Sequence, residues 1–205
     1  MSKTNEERLK KLFVRLDSMS YIKPDTIPDI PLYMDQVTTF MDEHLGHTKR
    51  YPDDKVLTKT MINNYAKNNL LPPPVKKKYS KEHMLMLIFI YYFKNLLSFN
   101  DIEELFRPIT GEHFDNLSGL SLEKIYNEVF ALEHGQMENL KADVKEKFNL
   151  ATRTFQDAAP EDQEYLQLFA FICELSFDVY LKNQMIEMLT DQLREEHGDS
   201  SKKKK

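Results

Sequence analysis

Three consecutive prolines, Pro72 to Pro74, followed by Lys76, Lys77, Lys78 and Tyr79, constrain this chain more than any other stretch. Each proline fixes φ at about −65° and removes a backbone donor, so neither a helix interior nor a central strand passes through residues 72–74. The segment must be a stiff, solvated ribbon between two separately formed elements. A loop that only connects has no need of three adjacent like charges, so the ribbon invites the question of what it faces.

The flanks of the ribbon read as helices. Before it, Thr58 is a suitable N-cap for a short helix to about Asn68, with Ile62, Tyr65 and Met61 on one face. Thr60, Asn63, Asn64 and Lys67 recur at i, i+3, i+4 and i+7 and form a continuous polar stripe on another face. Asn69 suits a left-handed C-terminal stop, and Leu70 and Leu71 return the chain to the core. After the ribbon, Ser80 caps a strongly apolar helix from Lys81 to about Leu97. Asn100 and Glu103 have capping-box spacing and open a short helix that Pro108 ends. Upstream, Leu9, Leu12, Phe13 and Leu16 define a helix within residues 1–17. Prolines at 24, 28 and 31 impose an extended connector, and a helix from about Leu32 to Leu45 stops at Gly46.

The C-terminal part has a different character. Residues 121–155 and 160–197 are long periodic segments, and Pro160 is well placed to start the second. In that second segment Tyr165, Leu168, Ile172, Leu175, Val179, Ile186, Leu189 and Leu193 alternate at threes and fours and approach a coiled-coil seam. A long helical hairpin follows, with apolar positions in excess of what a hairpin covers; a second copy of the chain is the expected partner. The fold class is thus mostly α, as only 5 glycines and no tryptophan among 205 residues also suggest.

A net charge of −5 conceals a segregation. From Lys49 to Lys94, ten Lys or Arg stand against three acids, Asp53, Asp54 and Glu82; from Asn95 to Ser201, eight stand against 22 acids. A basic segment joined to an acidic body points to one part that meets a polyanion and another that does not. Asn bonds bidentately to adenine in the major groove and Lys neutralises phosphate, so the polar stripe and the ribbon together offer what recognition of double-stranded DNA requires.

Residues 57–106, "LTKTMINNYAKNNLLPPPVKKKYSKEHMLMLIFIYYFKNLLSFNDIEELF", resemble the DNA-binding domain of MerR-type regulators. Thr58 matches that family's cap, Tyr65 its second aromatic, Leu70-Leu71-Pro72 the exit from the recognition helix, Tyr79-Ser80 the end of the wing and Phe99-Asn100 the later turn. Together with "PDIPLYMDQVTTFMDEHL", the same stretch is similar to a bacterial family catalogued as domain of unknown function 1836, whose members are regarded as MerR-like transcription regulators. The resemblance covers roughly Ile27 to Phe106. It implies a winged helix-turn-helix at 27–108, after an N-terminal helix and connector at 1–26. A helical dimerisation or sensing region at 109–197 and a disordered basic tail at 198–205 would follow. Where MerR proteins carry an Arg-Tyr pair this chain has Asn63 and Asn64, the ribbon lacks a glycine tip, and the metal-binding cysteines of the metal-sensing branch are absent.

The expected DNA-binding residues are Lys59, Thr60, Asn63, Asn64, Lys67, Lys76, Lys77, Lys78 and Tyr79. A two-fold homodimer would present two such heads to a palindromic operator, with the long helices as its seam. A small ligand in those helices is compatible with this reading. The alternative is a helical protein-interaction module on a winged-helix scaffold without specific DNA binding.

Other constellations are weaker. His44 and His47 beside Asp42 and Glu43 have a spacing for metal that Gly46 interrupts. His83 reads as a cap or core partner, and Glu133 with His134 lacks a nucleophile or a phosphate-cradling loop. No enzyme, cofactor or metal is therefore expected. The lone Cys173 reads as a buried structural thiol. The N-terminus lacks the apolar core of a signal peptide and the longest apolar run, Met84 to Phe93, is too short to span a bilayer, so the expectation is a cytoplasmic protein with no membrane partner.

Overall fold

The computed structural model describes residues 4–114 and 119–202, which are mostly helical. The helices are α1 (Asn5–Asp17), α2 (Met34–Leu45), α3 (Lys59–Lys67), α4 (Lys81–Phe93), α5 (Phe99–Pro108), α6 (Leu122–Ala151) and α7 (Pro160–Lys202). Strands β1 (Leu32–Tyr33) and β2 (Lys78–Tyr79) are two residues each. The chain forms two compact units, one of residues 1–20 with 130–185, the other of 21–129 with 186–205. In this division α1 belongs with residues 130–185, and the last turns of α7 belong with residues 21–129.

In the first unit, Thr4 closes α1 with a capping box, its hydroxyl accepting from the Glu7 amide at 3.3 Å while Glu7 accepts from the Thr4 amide at 3.2 Å. The apolar stripe of α1, Leu9, Leu12 and Phe13, packs on a core of Val144, Phe148, Ala151 and Phe171. Phe148 and Phe171 meet edge to face at 5.4 Å, and α6 and α7 run antiparallel here as a hairpin. The heptad seam of α7 divides: Leu168 and Leu175 are half-buried, whereas Tyr165, Ile172 and Val179 are exposed. Cys173 is half-buried rather than buried, because it lies between the covered face of α7 and that exposed stripe.

The second unit is organised around α4. Residues His83 to Ile90 are all buried, so this helix has no solvent face along most of its length. Phe89 meets Phe106 of α5 at 6.3 Å and Tyr126 of α6 at 5.4 Å. Val37, Phe40, Met41 and Leu45 of α2, with Ile62 and Tyr65 of α3, add further buried side chains. The hydroxyl of Tyr126 donates to the carbonyl of Ile22 at 2.6 Å in the buried interior.

Five boundaries differ from the sequence reading. Leu32 and Tyr33 form β1 rather than the start of α2, with Leu32 paired to Tyr79 and Tyr33 to Lys78, antiparallel. α4 ends at Phe93, where the Lys94 ammonium turns back to donate to the Val56 carbonyl at 2.7 Å. The cap of α5 is Ser98 in a box with Asp101, two residues before Asn100. Helical backbone continues past Pro108 through a π-helical turn, Ile109–His113. At the C-terminus α7 extends to Lys202, into the segment read as a tail, and residues 203–205 lie outside the described residues.

Candidate nucleic-acid interface

The polar stripe is where its spacing puts it. The Thr58 hydroxyl accepts from the Met61 amide at 3.1 Å and starts α3, whose buried residues are Ile62 and Tyr65. Rotating about that buried pair leaves Thr60, Asn63, Asn64 and Lys67 exposed together on the opposite side. Asn69, at φ 60°, ends the helix in a Schellman motif: the Leu70 amide donates to the Tyr65 carbonyl at 2.9 Å and the Asn69 amide to the Ala66 carbonyl at 3.4 Å. Beyond the stripe, Asn64, Lys67, Asn69, Phe99 and Asn100 line a polar depression of about 340 Å³ where α3 meets α5, with the Tyr65 and Phe99 rings 5.7 Å apart.

The ribbon is a minimal hairpin. Val75 bridges to Lys78, whose amide donates to the Val75 carbonyl at 3.0 Å, so only Lys76 and Lys77 lie in the turn. Both have left-handed backbone, φ 51° and 63°. Two-residue hairpin turns with positive φ at both positions favour Asn-Gly, and a lysine at such a position costs about 1–2 kcal/mol. Lys76 and Lys77 thus occupy a turn that suits them poorly, at the exposed tip of the ribbon. The base is secured twice, by β1 pairing with β2 and by His83. The Ser80 amide can only donate, so His83 Nδ1 accepts from it at 3.0 Å and Nε2 carries the hydrogen offered to the Pro72 carbonyl at 3.2 Å. The expectation that His83 is a cap or core partner holds in both senses, since it is also buried.

The basic residues divide by their partners. Lys49 pairs with Asp42 at 2.5 Å and Lys59 pairs with Asp35. Lys81 bonds Glu123 at 3.1 Å and Asp29 at 3.3 Å. Burial works to lower the Lys81 pKa, but these two carboxylates outweigh it and hold the ammonium above its ordinary range. Burial pulls Lys94 below its ordinary value. Lys78 is half-exposed with Nζ 5.0 Å over the Tyr33 ring. Among the described residues, Lys67, Lys76 and Lys77 have no acidic partner and are exposed. Uncommitted charge of the basic segment therefore lies on the stripe of α3, at the tip of the ribbon and, with Arg50 and Lys55, in the loop that leads into α3.

Tyr79 does not belong to this surface. It is 3 % exposed, its ring 5.5 Å from that of His83, and burial raises its phenol pKa. Strand alternation turns it inward while Lys78 turns outward, so it positions the ribbon and offers no face to a partner. Lys59, although exposed, brings Asp35 with it. Sequence reading did not single out Arg50, stacked on Tyr51 at 5.3 Å, or Lys55; both are exposed in the loop that leads into α3, and their only signal was their part in the local basic excess.

α5 is fixed from α7. Asp101 accepts from Ser98 and from Arg194, the latter at 2.7 Å. Burial acts to raise the Asp101 pKa, but the hydrogen bonds from Ser98 and Arg194 prevail and hold it below the usual carboxylate range. Glu104, nearly fully buried, accepts from Arg107 at 2.6 Å and contacts His197.

Other candidate sites are sparse. The His44 ring lies 4.2 Å from that of Phe40, tilted against it, while His47 lies past the end of α2 in a separate turn. Among the described residues no three His, Cys, Asp or Glu side chains gather closely enough to hold a metal ion. The side chains of Glu133 and His134 lie outside the described residues. In the first unit Met137, Leu140 and Lys182 border a depression of about 360 Å³. No helix is long and apolar enough to cross a membrane among the described residues.

Residues 22–129 match the family described as Domain of unknown function (DUF1836). No curated protein and no solved structure matches the chain.

Proposed function

The chain belongs to this family of domains of unknown function, and we propose that it is a sequence-specific DNA-binding transcription regulator built on a MerR-like winged helix-turn-helix. In this reading α2 and α3 are the helix-turn-helix, the ribbon from Pro72 to Tyr79 is the wing, and α3 enters the major groove. Asn63 and Asn64 read base edges, Thr60 and Lys67 flank them, and Lys76 and Lys77 lie on phosphates beside the groove. The observation that carries the proposal is the segregation of charge: most other lysines of the basic segment are engaged by acids, carbonyls or rings, while those of the stripe and the ribbon tip face outward without an acidic partner. Strained backbone at Lys76 and Lys77 supports it, because strain persists where the side chain is retained for a purpose other than folding.

The large apolar side chains exposed on α7 favour a second reading, a helical protein-interaction module that retains the scaffold without reading DNA. Selection of the purified protein against a random duplex library separates the two. Enrichment of a defined sequence supports the regulator; retention without enrichment, or no retention on duplex DNA or heparin at low salt, supports the interaction module.

A further inference from the structure

Lys94 caps the C-terminus of α4 and reaches across to the segment that enters α3. Its ammonium donates to the Val56 carbonyl at 2.7 Å and lies 5.0 Å from the centre of the Tyr91 ring. Val56 and Leu57 are buried, and Thr58, next in the chain, starts α3 by accepting from the Met61 amide at 3.1 Å. Tyr91 holds the same loop at its other end, through a hydrogen bond between its hydroxyl and that of Thr48. The last turn of α4 thus ties down both ends of the loop at 48–56.

The surroundings of this amine differ from those of the lysine that opens the same helix. Lys81 is held in its charged form by Glu123 and Asp29. Among the described residues no carboxylate lies within ion-pair distance of Lys94, which is half-buried between a neutral carbonyl and a ring face. Burial is what acts on it, and burial favours the uncharged amine. A neutral amine still has a hydrogen for the Val56 carbonyl, so loss of the proton leaves the contact in place. A lysine that gives up its proton readily is the nucleophilic one.

We propose that Lys94 is an acylation site, taking its acyl group from a small acyl phosphate, and that acylation loosens the entry to α3. An anionic donor suits the place, because Arg50 and Lys55 of the same loop are exposed and cationic. The neutral Nζ attacks the acyl carbonyl carbon; the N–C bond forms, the C–O bond to phosphorus's oxygen breaks, and phosphate leaves with the proton that the nitrogen releases. The product is a neutral amide with one N–H. Its carbonyl and methyl must find room where the ammonium sat between the Val56 carbonyl and the Tyr91 ring, and the charge that both of those groups attracted is gone. The carbonyl two residues before the cap of α3 therefore loses its hold on α4.

Competitive acetylation of the folded full chain with acetyl phosphate tests the site, with Nα-acetyl-lysine as internal standard and each lysine followed by peptide mass spectrometry. Lys94 should be acetylated, and its rate should level off at a lower pH than that of the standard. Exhaustive treatment should then speed amide exchange at Met61 and Ile62, in the first turn of α3, by about tenfold. The same treatment should leave Lys94→Arg within about twofold of its own untreated rate, although its other lysines are acetylated. A Lys94 that stays unmodified in the folded protein, or a rate that levels off with the standard or above it, overturns the acylation site. No acceleration in the treated wild type, or an equal acceleration in treated Lys94→Arg, overturns the link to α3. None of these measurements involves DNA, so their failure leaves the regulator reading to be judged separately.

Discussion

The Nε2 atom of His83 lies 3.2 Å from the carbonyl oxygen of Pro72, while the same imidazole holds Ser80 from its other nitrogen. One core side chain of α4 therefore clasps both ends of the ribbon, and the angle at which the lysines leave the body is set from inside the core.

His83→Ala should release that clasp. Removing the ring leaves the Ser80 amide and the Pro72 carbonyl without their partner, at a cost of about 2–3 kcal/mol in chemical denaturation. Amide exchange at Lys76 to Lys78 should accelerate by more than the global loss accounts for, which distinguishes a freed ribbon from a merely weakened fold.

The turn residues should trade stability against binding. Replacing Lys76 by Asn and Lys77 by Gly suits the left-handed backbone and should stabilise the protein by about 1–2 kcal/mol, measured as a higher denaturation midpoint. The same variant should flatten the salt dependence of duplex binding by about two units of slope, one for each lost phosphate contact. An unchanged slope would remove the ribbon from the interface.

If the proposed function holds, Asn63→Ala and Asn64→Ala should act on recognition alone. Both side chains are exposed, so thermal stability should shift by less than about 0.5 kcal/mol. Preference at one base pair of the selected sequence should fall by about 1–3 kcal/mol in competition binding.

Asp101 makes part of the fold sensitive to acid. Its carboxyl is held below its ordinary value in the folded protein, so the unfolded chain binds the proton first as pH falls. The stability it supplies is present above the unfolded carboxylate value of about 3.9 and is lost as pH drops through the lower folded value. Asp101→Asn should lower stability at neutral pH by about 1 kcal/mol, through the weakened cap of α5 and the lost partner of Arg194, and should reduce the slope of stability against pH below about pH 4 in urea titrations.

Much of the fold was legible because periodicity reports local structure directly. Ile62 with Tyr65, and the unbroken apolar run of α4, specify which faces are buried without reference to the rest of the chain. What escaped was set by distant residues or by near-equivalent local choices. Ser98 with Asp101 and Asn100 with Glu103 are both acceptable caps two residues apart, and the arginine on α7 that favours the first is 93 residues away. Leu32 and Tyr33 become a strand only because Lys78 and Tyr79 arrive beside them, and that pairing is also what turns Tyr79 inward. The charges of Lys76 and Lys77 were plain in the sequence, but their tight turn was not, since the residues that signal one are asparagine and glycine.

The hydrogen bond from Tyr126 to the Ile22 carbonyl joins positions close to the two ends of the segment that matches the family, residues 22–129. The chain thus enters and leaves that segment through the same doorway. With both ends pinned by one buried side chain, fraying at either end of the segment must break the same hydrogen bond, so the two ends open together or not at all.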